Sequence, residues 1–406
     1  MATLGTPRIA VLRPDHGVLG GFERHLATVV AGLKRRGWIV ETIGLDPRGT
    51  RSRLLGVPVR PVQYEFHADY FAYLSLVEQT AALDLRRFDA VLTTQPPTYL
   101  ARHDRKVALF YHQARQFYDL ADIYAESGFA EEEIHRAATE SVRAIDGEAV
   151  GDVRHWLAGS DTVAERLRRY WRIPDDRISR YDAPAACVIA ESPPPYDPAG
   201  SILHVGRMEW PKRPELLVQA VHLLDSQRMT SFVGGGSRAD FVRSLDARLG
   251  DRPEDRRGLI ETETWRNRGI FTAGWRPYEG RASGRIDFIG PVDDAQRDAA
   301  YRSAAVVVAP AHNEDYGLTA LEAMAFARPV IACGDGGGLT ELVDDGVTGL
   351  IVDPDPAAMA AAITRLLEDP TLAARLGLAG HAKARSITED RAVAQIEQTL
   401  EKVLAG

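Results

Sequence analysis

Two carboxylates eight positions apart frame the stretch best suited to chemistry. Glu314 lies in the polar loop His312-Asn313-Glu314-Asp315-Tyr316. Glu322 lies inside the apolar run Leu318-Thr319-Ala320-Leu321-Glu322-Ala323-Met324-Ala325, and Gly317 sits between them where the chain must turn. The apolar residues 306–310 predict a buried strand before this loop, and the run after Gly317 predicts a buried helix. A carboxylate in such a helix is costly unless something hydrogen-bonds it. Sugar or ribose hydroxyls are suitable partners.

Further candidates lie where strands should end. Arg207 and Lys212, five residues apart in a loop after a predicted strand, are within reach of one diphosphate. Two solvated surface cations is the other reading, and the pair alone does not decide. Gly20 and Gly21 precede a predicted helix, where backbone can approach an anion closely or simply needs freedom to bend. His112 ends a strand-like run and could hydrogen-bond or protonate a bound group, or be structural. Arg166, Arg168 and Arg169 form a basic cluster suited to an acidic membrane or acceptor. Glu165 and Asp176 beside it favour a solvated face. Asp353-Pro354-Asp355 and Asp293-Asp294 precede predicted helices, so capping is the expected role and no metal ligand is predicted.

The elements that position these groups alternate between strand and helix. Residues 8–12, a helix over 22–36 and a strand over 38–45 make a strand–helix–strand unit, the expected start of a parallel sheet. More strands follow at 89–94, 106–112 and 155–160, with helices over 70–87, 131–150 and 161–171. The Pro-rich stretch 192–198 is stiff and cannot continue a helix or a central strand. After it the alternation restarts, with strands at 201–205, 229–233, 285–289, 306–310, 329–332 and 350–352.

A chain of 406 residues is too long for one ordinary core, so two domains are expected. Apolar content of 45% and charged content of 26% fit a soluble globular protein, and a net charge of −8 argues against a general nucleic-acid binder. Cys187 and Cys333 have no metal or redox spacing, which suits a reducing compartment. The opening residues predict no signal peptide, and no apolar run approaches the roughly 20 residues that span a bilayer. The expectation is a cytoplasmic protein, at most peripheral to a membrane.

Taken together, these motifs resemble the retaining, nucleotide-sugar-dependent glycosyltransferases with the GT-B fold. The Glu-x7-Glu pair sits in "EDYGLTALEAMA", with "HVGRMEWPK", "IDFIGPVDD", "YRSAAVVVAP" and "ARPVIACGDGGGLTELVDDGVTGLIV" around it in the family's order. "GGFERHLATVVAGLKRRGWIV" matches the amino-terminal Gly-Gly helix, and the motifs are similar in tone to those of bacterial phosphatidylinositol mannosyltransferases. The resemblance implies an α/β chain with two Rossmann-like, doubly wound domains facing a cleft. The expected layout is an acceptor-side domain over 1–192, a linker at 193–199 and a nucleotide-sugar domain over 200–386. A C-terminal helix over 387–406 can cross back to the first domain. By the same resemblance, Arg207 and Lys212 would neutralise the donor diphosphate, Glu322 would take the ribose and Glu314 the sugar. Tyr316, Gly317, Leu318 and Thr319 would lie near sugar and phosphate, and Val292 at the base. Gly20 and Gly21 would close on the phosphate, and His112 would touch the transferred sugar.

The partners implied are a nucleotide sugar and a small-molecule, lipid or glycan acceptor, with no nucleic acid and no cofactor or essential metal. Other activities on this fold are a sugar phosphorylase, a nucleotide-sugar epimerase or a non-catalytic binding subunit. Intact Arg207, Lys212, Glu314 and Glu322 speak against the last. Two departures from the family stand out. Ala185-Ala186 after Pro184 replace an Asn-Gly, so that turn should be of another type. The segment 250–284 is long and carries Trp265, Phe271, Trp275 and Tyr278 among arginines, suiting either recognition or self-packing.

Overall fold

The computed structural model describes residues 6–15, 17, 20–126, 130–252, 258, 260, 278 and 280–406. Trp265, Phe271 and Trp275 lie outside the described residues. The chain forms two compact units, Met1–Ala183 with Glu389–Gly406, and Pro184–Thr388.

In the first unit the strands are β1 (Arg8–Pro14), β2 (Ile39–Leu45), β3 (Arg53–Leu54), β4 (Val57–Pro58), β5 (Ala90–Thr93), β6 (Lys106–Phe110), β7 (Val153–Ala158) and β8 (Ile178–Arg180). Six of them make a parallel sheet in the order β2-β1-β5-β6-β7-β8, while β3 and β4 pair apart as a small hairpin. Strands β5 and β6 are buried throughout, as unbroken apolar runs in a sheet covered on both faces should be. The order reverses between β1 and β5.

The last helix, Glu389–Ala405, belongs to this unit and packs on the helix Gly21–Arg35. The contact is close: a Cβ on Gly32 would stand 2.5 Å from Val393 Cγ2. Glu397 accepts from Trp38 Nε1 at 2.9 Å and from Arg36 at 2.8 Å, and Arg35 pairs with Glu389. Within the helix Asp161–Trp171, Arg166 differs from its expected solvated position. It is buried, 3.5 Å from Asp119, so this face of the helix packs inward.

The second unit's strands are β9 (Ser201–Val205), β10 (Thr230–Val233), β11 (Ile286–Gly290), β12 (Ala304–Ala309), β13 (Val330–Cys333) and β14 (Gly349–Val352). They form a parallel sheet in the order β11-β10-β9-β12-β13-β14. Numbered within the unit this is 3-2-1-4-5-6, the Rossmann order, which reverses between β9 and β12. In such sheets ligands settle outside the carboxyl ends of the strands at that reversal.

The chain passes between units after Ala183, ahead of the Pro-rich stretch expected to be the linker. That stretch packs in the second unit, where the buried Arg328 donates to the Pro195 carbonyl at 2.7 Å and faces the Tyr196 ring. Ala185 and Ala186 are not among the residues with positive φ, in keeping with a turn unlike Asn-Gly.

Candidate functional site

The loops after β9 and β12 meet at the reversal of the second sheet. Thr319 Oγ1 donates to the Val205 carbonyl at 3.2 Å, tying the helix Leu318–Ala325 to the end of β9. The His312 amide donates to the Pro211 carbonyl at 2.7 Å, tying the two loops directly. Across that tie Lys212 Nζ forms an ion pair with Glu314 Oε2, both largely shielded from solvent. The sequence-predicted Lys212 and Glu314 therefore come together. Arg207 lies on the same loop, with its side chain exposed.

Glycines allow the loops to approach so closely. A Cβ on Gly234, whose φ is 126°, would stand 2.0 Å from the Gly206 carbonyl oxygen, and Met208 donates its amide to the Gly235 carbonyl at 2.9 Å. The Gly234 amide donates to the Gly290 carbonyl at 2.9 Å, which brings the turn before the half-buried Val292 to the same rim. Gly317 has φ 104° and caps the helix start, and a Cβ there would stand 2.8 Å from Leu339 Cδ2. No side chain caps this helix. Its first amides, at Leu318 and Thr319, thus present a partial positive charge to the loop. Tyr316 is buried beneath it.

Glu322 is 6% exposed, in a helix whose Ala320, Leu321, Ala323 and Met324 are fully buried. Its expected hydrogen-bond partner was a ligand hydroxyl. A protein group also serves: Tyr301, itself buried, donates its hydroxyl to Glu322 Oε2 at 2.9 Å. The Arg297 guanidinium, near enough to feel the Glu322 charge, is paired to Asp294 and Asp298 at 3.0 and 2.9 Å.

Sequence reasoning missed the residues beneath the Lys212–Glu314 pair. Arg213 is 1% exposed and in the left-handed conformation, φ 48°. Its guanidinium donates to the Pro310 carbonyl at 2.7 Å, to the Ala311 carbonyl at 3.3 Å and to both Asp335 oxygens at 2.8 and 2.5 Å. Asp335 also accepts from His312 Nδ1 at 2.9 Å. Partial burial pushes the Asp335 carboxyl up, but the hydrogen bonds from His312 and Arg213 and the Arg213 charge outweigh it and bring it down to about 2. The glycines after Asp335 let the loops nest: a Cβ on Gly337 would stand 2.7 Å from the Glu314 carbonyl oxygen. That Gly run was visible in the sequence, although the pairing of Arg213 with Asp335 left no local signal.

His112, Gly20 and Gly21 belong to the first unit. His112 Nδ1 donates to the Gln113 carbonyl at 2.6 Å just beyond β6. Gly20 has an extended conformation, φ −91°, and its amide donates to Glu23 Oε2 at 2.9 Å, so it begins the helix Gly21–Arg35 with a partner already in place. Asp355 and Asp293 cap helices, accepting from Ala357 and Ala358 and from Gln296 respectively. Among the described residues there is no group of three or more His, Cys, Asp or Glu placed to hold a metal ion. No helix among them is long and apolar enough to cross a membrane. Tyr278, in the long segment, donates to Asp251 at 2.7 Å and accepts from Arg252 at 3.1 Å.

Residues 270–369 match the family model described as glycosyl transferases group 1. The chain is 34% identical over 195 residues to the D-inositol 3-phosphate glycosyltransferase of Xylanimonas cellulosilytica, a match covering 48% of this chain and 40% of that protein. A second such relative, from Kineococcus radiotolerans, is covered over 38% of its length, so the chain spans well under half of these relatives. The human alpha-1,3/1,6-mannosyltransferase ALG2 is 25% identical over 93% of this chain and 92% of its own. Among solved structures, sucrose-phosphate synthase from Thermosynechococcus elongatus aligns with TM-score 0.67 at 20% identity, covering 98% of this chain and 99% of that one. Anabaena Alr3699/HepE in complex with UDP and glucose aligns with TM-score 0.63 at 14% identity, covering 98% of this chain and 100% of that one. These likenesses establish the GT-B fold. The family match falls within the second unit, on the segment that carries Glu314 and Glu322.

Proposed function

We propose that this protein is a retaining glycosyltransferase that moves a sugar from a nucleotide-diphosphate sugar, of UDP or GDP type, to a hydroxyl acceptor. The observation that carries this reading is the meeting of Lys212 with Glu314 at the reversal of a Rossmann-order sheet, beside an uncapped helix start. Lys212 and Arg207 supply positive charge to the diphosphate, and the amides of Leu318 and Thr319 add to it. Charge that grows on a departing diphosphate is best met by groups already fixed in place. Glu314 accepts from sugar hydroxyls. Glu322 accepts from the ribose through its carboxylate, oriented by Tyr301, while Val292 lies at the base.

In the reaction the acceptor oxygen forms its bond to the anomeric carbon on the face from which the diphosphate leaves. The anomeric carbon–oxygen bond breaks with its electron pair on the diphosphate, and a diphosphate oxygen takes the acceptor proton. No protein base and no metal ion is assigned. Gly20, Gly21 and His112 are assigned to the phosphate and the transferred sugar from the first unit. Two similar proteins support the donor class: HepE was solved with UDP and glucose, and ALG2 is named a mannosyltransferase.

Thermal-shift measurements against UDP-, GDP-, ADP- and TDP-sugars test this reading. A true donor at 100 times its Kd should stabilise the folded chain by about 2.7 kcal/mol. The Lys212→Ala variant should lose that shift. Failure of all four donors to stabilise the wild type would overturn the proposal.

A further inference from the structure

We infer that Asp335 is the positioning residue of this site, the group that fixes Lys212 and Glu314 relative to each other. The inference rests on the reading of these two side chains as donor contacts. Its physical basis is the convergence of both loops on one carboxylate. From the β9 side, Asp335 holds Arg213, the neighbour of Lys212, by two guanidinium hydrogen bonds. From the β12 side, its Oδ2 accepts from His312, and its backbone carbonyl accepts the Asn313 amide at 2.8 Å. Asn313 is the neighbour of Glu314. The Gly336 carbonyl, one residue further on, accepts the Glu314 amide at 2.9 Å.

The backbone explains why such a clamp is needed. Arg213 and Asn313 have φ of 48° and 47°, the left-handed region that costs side-chain-bearing residues free energy. Arg213 also precedes Pro214, which further restricts its backbone. One such residue adjoins each half of the Lys212–Glu314 pair. Conformations of this kind persist only where the surroundings over-determine them. Here the over-determining contacts run through Asp335. The carboxylate also neutralises the buried Arg213 guanidinium, so charge balance and loop geometry are set by the same group. His312 completes the link, since its amide holds the Pro211 carbonyl while its ring holds Asp335.

Asp335→Asn keeps the side-chain shape and removes the charge that gathers these donors. With a donor that stabilises the wild type, the variant should lose about 100-fold in kcat/KM, the scale set by misplacing reacting groups by about 1 Å. A double-mutant cycle separates positioning from general support. In an Glu314→Gln background the Asp335→Asn substitution should cost only a few-fold more, because the group it positions is already disabled. Equal losses in both backgrounds would overturn the inference. His312→Phe removes one arm and leaves Arg213 paired, so it should give an intermediate loss with the fold intact, and serves if Asp335→Asn does not fold. A crystal structure of the variant gives a readout independent of any donor. The Lys212–Glu314 contact should be broken or shifted in it, and an unmoved pair would refute the positioning role even if donor binding had failed in the wild type.

Discussion

Two shielded aspartates, one in each unit, show how differently the same side chain can be used. In the first unit, Asp146 is fully buried and accepts from Tyr99 at 2.8 Å, Tyr118 at 2.7 Å and Tyr73. Trp171 Nε1 in turn donates to the Tyr118 hydroxyl at 3.0 Å. Burial outweighs these three neutral donors, and the Asp146 carboxyl is pushed up to about 6. In the second unit, Asp335 is half-shielded and meets Arg213 and His312, and its carboxyl falls to about 2. Neutral hydrogen bonds satisfy a buried carboxylate without making its charge comfortable; a cation does both. The first cluster therefore ties helices and turns of the first unit to one another, while the second holds together loops of mixed charge at the reversal of the second sheet.

The largest expected effects fall on the charged side of this contrast. Lys212→Ala and Glu314→Ala should each lower transfer by about 1000-fold, comparable with removal of a preorganised charge-stabilising group. Circular dichroism should show both variants folded. Near wild-type turnover at subsaturating donor, by either variant, would remove the pair from the site. Chelator should leave the wild-type rate within about two-fold if lysine, arginine and helix amides neutralise the diphosphate; loss restored by added metal would contradict that.

On the neutral side the expected effect is on stability and depends on pH. A pKa raised from 3.8 in the unfolded chain to about 6 in the folded one means that folding favours protonated Asp146. The stabilisation is complete below pH 4 and is lost as pH rises through 6, a change of roughly 3 kcal/mol. Asp146→Asn should abolish this slope. Buried His25 and His204, both lowered to about 4 by desolvation, act in the opposite sense, losing stability as pH falls from 6.5 toward 4. They are common to both proteins, so the difference between wild type and variant isolates Asp146. Hydrogen exchange in β6 and β7, corrected for intrinsic rates, should show the difference widening from pH 4 to 7. Parallel curves would mean that the tyrosines fully offset the desolvation and leave the carboxyl at its ordinary value.

The sequence made one half of this contrast readable. Glu314 and Glu322 stand at a recognisable spacing, the apolar runs around them identify a strand and a helix, and Asp355 announces a helix start by its position before Pro356. The alternation of strands and helices likewise yields two parallel sheets. Asp335 and Arg213 are different. They are 122 residues apart, and only the strand order β9-β12-β13, which brings the loops after β9 and β13 to either side of the β12 loop, makes them meet. Asp146 reads as one acidic residue on a charged helix, because Tyr73, Tyr99 and Tyr118 reach it from three other segments. Arg166 was misplaced for the same reason, since its partner Asp119 comes from a separate loop. Local pattern reports what an element is; the partner of a buried charge is a property of the sheet order.

The smallest effects test whether the first unit depends on packing as closely as the second depends on charge. Gly147 adjoins Asp146 in the helix Glu132–Ala149, and a Cβ there would meet nothing within 4 Å. Gly147→Ala should stabilise this unit by about 0.5–1 kcal/mol, the difference in helix propensity. Gly32 is also helical, but its added Cβ would press on Val393 Cγ2 at 2.5 Å and Cγ1 at 3.1 Å. There the propensity gain of about 1 kcal/mol opposes an overpacking cost of about 1–3 kcal/mol. Gly32→Ala should therefore be neutral to destabilising, with exchange protection lost first in the helix Glu389–Ala405. Because the two substitutions are chemically identical, only the neighbour differs. Equal stabilisation by both would show that the C-terminal helix yields to the new methyl, and that its attachment depends on Glu397 and Trp38 more than on close contact.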